Sequence, residues 1–531
     1  MKTSTVALLL SLFSIFFLPV SWATSNSVQD NFVKCLDKAS LSQPISAEIY
    51  TPNNSSFGTV LQSYKRNRRF DTPTTPKPVV IVTATHESHV QATVVCAKKV
   101  GIELRIRSGG HDYEGVSYVS QVPFVILEMS NLRSIEIDIK NETAWFQAGA
   151  ILGEIYYEIA KKSKYHAFAA GVCPGLGAGG HISGGGYGNL LRKYGVATDH
   201  VVDAQIVDAK GRILDRKSMG EDLFWALRGG GASSFGVILS WKVKLVRVPD
   251  IVTVFKVNRT LEQGATDIVA QWIQVVDKLP NEMFMRVWLK TVNGSHVGQK
   301  TIQALFVGMF LGRGKELVEL MNNSLPKFGL QQSDAIEMSW IESVVFWADK
   351  PLGTPIEVLL ERATKPGIFL KRKSDFVKEP ISNAGLEAIW KTMIELEDVA
   401  MLWNPYGGVM NKISENKTAF PHRAGNIFKI QYATNWMDER IEASNLYLNK
   451  TRTLFEFMTP YVSKNPREAF LNYRDLDIGT SSNDDYEEAK VYGIKYFKGN
   501  FDRLVRVKTN VDPDNFFRNE QSIPTLPSCK P

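Results

Sequence analysis

The chain has 531 residues, 44% of them hydrophobic and 22% charged, with 39 glycines, 23 prolines and 4 cysteines. That composition belongs to a globular protein with a sizeable core and excludes a disordered, collagenous or disulfide-built scaffold. The formal charge of +7, from 62 basic and 55 acidic residues, is mild and carries no long basic block, so nucleic acid is not an expected partner.

Lys2 precedes an apolar run from Val6 to Val20, and Ser21-Trp22-Ala23 places small residues where a signal peptidase reads them. Residues 1–23 are therefore expected to be a secretory leader cleaved after Ala23. The run is shorter than the roughly 20 residues that span a bilayer, and no later segment reaches that length, so no membrane segment is expected after cleavage. Asn-x-Ser/Thr sequons make Asn53, Asn54, Asn141, Asn258, Asn293, Asn322, Asn416 and Asn449 candidate glycan sites, Asn53 and Asn54 being too close for both to be used. In an oxidising lumen Cys35 and Cys96 could pair, which leaves Cys173 in need of an explanation and Cys529 in the terminal tail.

Val79 to Thr83 is a β-branched strand pattern, Glu87 to Val100 has helical spacing, and Glu103 to Arg107 alternates before a glycine turn. Strand patterns follow at Phe124 to Leu127, Ser134 to Ile139 and Ala144 to Ala148, then a helix over Leu152 to Lys162. Asp203 to Asp208 and Ile213 to Leu214 flank a turn as a hairpin does, Val237 to Val246 is a further strand, and Pro249 marks a boundary. Beyond it, helices at Gly264 to Lys278 and Gly314 to Asn322 alternate with strands at Phe284 to Leu289, Thr301 to Met309 and Ile427 to Tyr432, the pattern of an antiparallel sheet carrying helices. Glu487 to Arg506 reads as one helix.

Nine of the eighteen residues from Gly171 to Gly188 are glycine. Such density serves the backbone: without Cβ atoms, main-chain N–H groups can crowd a ligand such as a pyrophosphate, and a planar cofactor can lie flat on the loop. Gly175, Gly177 and Gly180 match the dinucleotide fingerprint, but Gly184, Gly185 and Gly186 would each cost about 1 kcal/mol inside a helix starting there, so an extended cradling loop is expected instead. Glycine loops at 107–115 and 228–236 complete a set suited to a large, elongated cofactor.

The motifs RSGGHDYEG (107–115), GVCP and GGHISGGGYG (171–188), FWALRGGGASSFGV (224–237), NPYGG (404–408), FKIQY (428–432), NYRDLDIG (472–479) and KGNFDRLVRVKTNVDPDNFF (498–517) resemble the plant berberine bridge enzyme-like family of flavoproteins. The resemblance implies an α+β fold with a two-part FAD-binding domain of the vanillyl-alcohol oxidase type. Residues 24–250 and 473–531 would form that domain, and 251–472 an inserted substrate domain of antiparallel sheet covered by helices. It also implies FAD attached twice, through His111 and Cys173, which accounts for the odd thiol. Arg107, Ser108, Gly109, Gly110, Asp112, Gly180, His181, Gly184, Gly185, Gly186, Gly188, Val237 and Asn515 would surround it, and no metal is expected.

Lys429 and Gln431, two apart on a strand, would face the same side. By resemblance Tyr187 is the base that takes a substrate hydroxyl proton, with Lys429 favouring its phenolate, Tyr473 and Tyr113 positioning substrate, and Gln431 bonded to a tyrosine. Gln431 stands where the alkaloid-cyclising member of the family has a carboxylate base, which disfavours that ring closure. Leu176 occupies the oxygen-gating position, where a smaller valine accompanies oxidase behaviour; the bulkier leucine would obstruct O2, so the resemblance implies another electron acceptor, with O2 as the alternative. Gly175 departs from the family's usual threonine. The expected activity is oxidation of a small plant alcohol or phenolic, a monolignol-like allylic alcohol first, by a monomer in the cell wall or vacuole. A carbohydrate oxidase and an oxidative cyclase or cycloaddition catalyst are the alternatives. Arg286, on a strand pattern of the substrate domain, could contact substrate, but a surface or salt-bridged arginine is the preferred reading.

Overall fold

The computed structural model describes residues 18–39, 42–362, 367–481 and 485–527. Residues 1–17 of the expected leader and Cys529 lie outside them. Helix Leu18–Asp37 is tied to helix Glu87–Val100 by the Cys35–Cys96 disulfide. The second helix starts where the His86 ring accepts from the Ser88 N–H and stops at Gly101, whose φ of 75° the chain needs to turn back into the sheet.

That helix connects strands Val80–Thr83 and Glu103–Arg107, which flank Phe124–Glu128 as its parallel neighbours in a four-stranded sheet whose edge is the short strand Ile49–Tyr50. A five-stranded antiparallel sheet follows, ordered Ile135–Asp138, Thr143–Gln147, Val237–Lys244, Val201–Val207 and Ile213–Leu214. The hairpin about residues 209–211 forms as expected. The strand pattern to Val246 is split: pairing in this sheet ends at Lys244, and Val246–Arg247 pairs with His166–Ala167.

Strands Ile336–Met338, Val252–Thr260, Lys300–Phe310, Met283–Asn293, Val399–Pro405, Phe428–Trp436 and Phe369–Val377 form, in that order, a seven-stranded antiparallel sheet. Helices Ala265–Val275, Asn383–Leu396 and Ile441–Phe457 pack on it through Trp272, Trp390 and Phe455, which share a core with Trp403 and Phe428 of the strands. Four of these strands escaped sequence reading: Val252–Thr260, Ile336–Met338, Phe369–Val377 and Val399–Pro405. Val252–Thr260 follows directly on the Pro249 boundary, and Phe369–Val377 carries Lys371, Arg372, Lys373, Ser374 and Asp375, yet lies buried almost throughout. A hydrophobicity pattern cannot mark a strand whose buried polar residues are paired only in three dimensions.

The chain then returns to the first half. Tyr492, Leu504 and Val505 of the C-terminal helices share one core with Phe146, Phe168 and Trp225, and Val252 and Trp340 of the sheet region join it. The expected single helix over Glu487 to Arg506 is two, Tyr486–Phe497 and Phe501–Val511. The break falls at Lys498, held at a φ of 50°, and it aims the Asn500 amide at the carbonyls of Glu415, Thr418 and Ala419.

Candidate active site

Three elements converge on a cavity of about 340 Å³. The strand Glu103–Arg107 delivers the loop Ser108 to Tyr113; the glycine-dense segment lies across it; and the seven-stranded sheet closes the far side with Arg286, Asn404 and Gln431. The two glycine loops touch backbone to backbone. A Cβ on Gly109 would stand 2.5 Å from the Gly177 nitrogen, and one on Gly177 would stand 2.4 Å from Ser108 Oγ, distances no side chain tolerates. The extended-loop expectation is corrected in part: Ala178–Ser183 forms a short helix capped by Gly177, and Gly184 to Gly186 lie beyond its end, where they cost it nothing.

Of the sequence-predicted residues, Ser108, Gly109, Gly110, His111, Asp112, Tyr113, Cys173, Leu176, Gly180, His181, Gly184, Tyr187, Gln431 and Tyr473 line the cavity. Arg107 does not. Its guanidinium is buried against Glu128 and the carbonyls of Leu61 and Val60, so it anchors the loop rather than facing a ligand. Gly185, Gly186 and Gly188 back onto Phe420, Ala197 and Ala170. Val237 stands between the lining residues Gly236 and Ile238, and Asn515 is buried outside the wall. Arg286 corrects the expectation of a surface or salt-bridged residue: its guanidinium lies 4.8 Å from the Trp347 ring, and among the described residues it has no carboxylate partner and its buried Nε no hydrogen bond. A lone cation in the apolar pattern FMRVWL was the signal for it.

His111 Nε2 is buried, has no hydrogen-bond partner of good geometry among the described residues, and sits beside Gly175, two residues after Cys173. Burial, and the charge of Arg66, push this histidine down to about 4, so the imidazole is neutral at neutral pH. The Cys173 thiol opens on the cavity; the surrounding protein pushes its pKa up, while the Gly175 backbone and Arg66 pull it down. An orphaned imidazole nitrogen, a cavity-facing thiol and a glycine wall free of side chains fit a flavin held at both residues.

On the opposite side Lys429 is caged by aromatic faces. Its Nζ lies 3.7 Å from the Tyr187 ring centre, 3.8 Å from that of Phe470 and 4.2 Å from that of Tyr473, with no hydrogen bond. Burial, with Arg286 adding to it, holds the amine well below its ordinary pKa. The Tyr187 hydroxyl donates to the Pro405 carbonyl at 2.7 Å, and burial raises its pKa well above the usual phenol, opposed by Arg286. Tyr473 is raised by burial and by Tyr113, opposed by Arg286 and Arg372. Gln431 Nε2 donates to Tyr113 Oη at 3.0 Å. Arg286 thus bears on both Tyr187 and Tyr473, beside Lys429, whose Nζ lies against the same two rings.

His181 accepts the Gly171 N–H at Nε2 (2.9 Å), and burial, then Lys429 and His111, push it down to about 3. The unfolded chain binds this proton near pH 6.5 and the folded chain only near pH 3, so the contribution to stability is complete above the first value and is lost as pH falls towards the second. Between pH 7 and 4.5 the free energy of unfolding should drop by ~2–3 kcal/mol on this account. In urea melts His181→Gln should lose less stability between these pH values than the parent, by that amount; equal losses would show that the ring titrates alike in the folded and the unfolded chain.

This cradle and cavity define a flavin-binding oxidoreductase, and comparison with known proteins agrees. Residues 78–216 match a family model described as the FAD binding domain, and residues 469–524 one described as berberine and berberine like. The chain is 56% identical over 528 residues to berberine bridge enzyme-like 14 of Arabidopsis thaliana, covering 99% of each. It superimposes on the solved structure of berberine bridge enzyme-like 28 of Arabidopsis thaliana with a TM-score of 0.88 and 46% identity, over 94% of this chain and 100% of that one. It superimposes on Phl p 4, a grass pollen allergen with glucose dehydrogenase activity, with a TM-score of 0.88 and 42% identity, over 93% and 99%. The chain belongs to the berberine bridge enzyme-like family of FAD-linked oxidoreductases.

Proposed function

We propose that this flavoprotein oxidises the hydroxyl-bearing carbon of a small plant alcohol or phenolic, a monolignol-like allylic alcohol first, with FAD linked to His111 and Cys173. The observation that carries this is the tyrosine-lined cavity itself: Tyr113, Tyr187 and Tyr473 face the glycine wall beside Gln431 and Arg286, with Lys429 behind two of their rings. When bound, FAD supplies the acceptor for the hydride. The protein's part is to hold the substrate hydroxyl and take its proton. Tyr187 is the proposed acceptor. Its hydroxyl hydrogen rests on the Pro405 carbonyl, and Arg286 is the charge that favours the ionised phenol. Gln431 fixes Tyr113.

Anaerobic mixing with cinnamyl alcohols, oligosaccharides and prenylated phenolics tests the reading, since oxidation of the substrate bleaches the flavin. Bleaching by the first group supports it. Bleaching only by sugars supports a carbohydrate dehydrogenase instead, a reading favoured by the likeness to Phl p 4. Turnover without bleaching supports a cyclase. Leu176 lines the cavity wall three residues after Cys173. If its side chain obstructs O2, Leu176→Val should speed reoxidation in air by roughly ten- to a hundredfold, an obstacle of about 1.4–3 kcal/mol; an unchanged rate removes it as the gate.

Entry into the secretory pathway is part of the proposal. The Cys35–Cys96 disulfide supports it, as does the exposure of all eight sequon asparagines. Among the described residues no helix is long and apolar enough to cross a membrane.

A further inference from the structure

The buried polar face of Phe369–Val377 forms an ion cluster across the joint between the sheet and the cofactor cradle. Lys371 Nζ, with a side chain only 1% exposed, donates to Glu114 Oε1 at 2.6 Å and to Asp475 Oδ1 at 2.7 Å. Lys373 holds the other oxygen of Asp475 at 2.5 Å and reaches Asp477 at 3.1 Å. Arg69 stands 3.5 Å from Glu114, and Arg452 closes the solvent side on Asp477.

The two carboxylates that Lys371 joins come from segments hundreds of residues apart, and each lies beside a cavity tyrosine. Glu114 follows Tyr113, and Asp475 is two residues beyond Tyr473; the two rings stand 6.0 Å apart. A second tie runs the same way, Arg474 donating to Asp112 at 3.0 Å while Asp112 accepts the Glu114 and Val116 N–H groups. Removing four charged groups from water gains little stability over an apolar filling of the same space. What the cluster does supply is geometry, because one ammonium reaches both carboxylates only when both segments are in place.

We propose that Lys371 is a positioning residue: by holding Glu114 and Asp475 together it sets the spacing of Tyr113 and Tyr473 across the substrate space. This rests on the reading of those tyrosines given above, and its test separates the two. The holoenzyme and its Lys371→Met and Glu114→Gln variants are compared by hydrogen exchange and by anaerobic flavin reduction with a cinnamyl alcohol. Glu114→Gln keeps the shape and removes one charge, so it serves if Lys371→Met does not fold. Exchange should quicken in residues 107–115 and 471–479 together, and the limiting rate of reduction should fall roughly ten- to a hundredfold with the flavin content unchanged. Faster exchange confined to 369–377, or none, overturns the proposal. Loosening of both segments with reduction within about twofold of the parent upholds the clamp and removes the two tyrosines from the chemistry.

Discussion

Acid precipitation of the purified protein should carry the whole of the flavin down with the polypeptide. Each single replacement, His111→Ala or Cys173→Ala, should leave it attached through the other residue, and the double replacement should release all of it into the supernatant. The expectation rests on two chemically different nucleophiles facing one stretch of cavity. His111 is kept neutral by burial, so a ring nitrogen keeps the lone pair that the bond needs. Cys173 reacts as thiolate, which burial disfavours; the Gly175 backbone and Arg66 pull the other way, so this link should form the more slowly at neutral pH. Peptide mass analysis checks both residues. Unmodified His111 and Cys173 in a yellow protein would mean that the cradle holds its cofactor by contacts alone.

Tyr187→Phe should slow flavin reduction by roughly 10²–10⁴-fold, the range a positioned proton acceptor provides, while flavin attachment stays intact. The substitution is structurally mild. A phenyl ring keeps the packing on Tyr406, whose ring centre is 5.8 Å away, and the face offered to Lys429. Only the bond to the Pro405 carbonyl is lost, at a cost of about 1 kcal/mol. A large loss of rate with a small loss of stability therefore identifies the proton acceptor. Tyr473→Phe is the control. If it abolishes reduction while Tyr187→Phe leaves the rate unchanged, the acceptor is Tyr473.

Local patterns located most elements where local forces decide them. Helices Glu87–Val100 and Leu152–Lys162 lie at the bounds their periodicity indicates, and the three central strands about residues 80–83, 103–107 and 124–128 announce themselves as β-branched or alternating runs, whereas the two-residue edge strand Ile49–Tyr50 does not. The pattern failed where burial is polar or where a break serves a distant contact. Phe369–Val377 looks like a charged surface segment because its counter-ions are at 114, 475 and 477. Lys498 sits in a helical pattern but turns the chain so that Asn500 can cap a loop eighty residues earlier. A lone arginine on a strand is usually solvated, and only the fold places Arg286 between Trp347 and the tyrosines.

The motifs about His111, Cys173 and the glycine-dense segment identify the family and the cofactor from the linear chain, because anchoring residues and close backbone approach demand particular residue types at particular positions. No such local demand brings Tyr187, Phe470 and Tyr473 around Lys429, or separates wall residues such as Gly180 from buttresses such as Gly188. Those outcomes depend on the register of the seven-stranded sheet and on its packing against the cradle, which are settled by contacts between residues hundreds of positions apart. Nothing in the neighbourhood of any one of them records where the others will be.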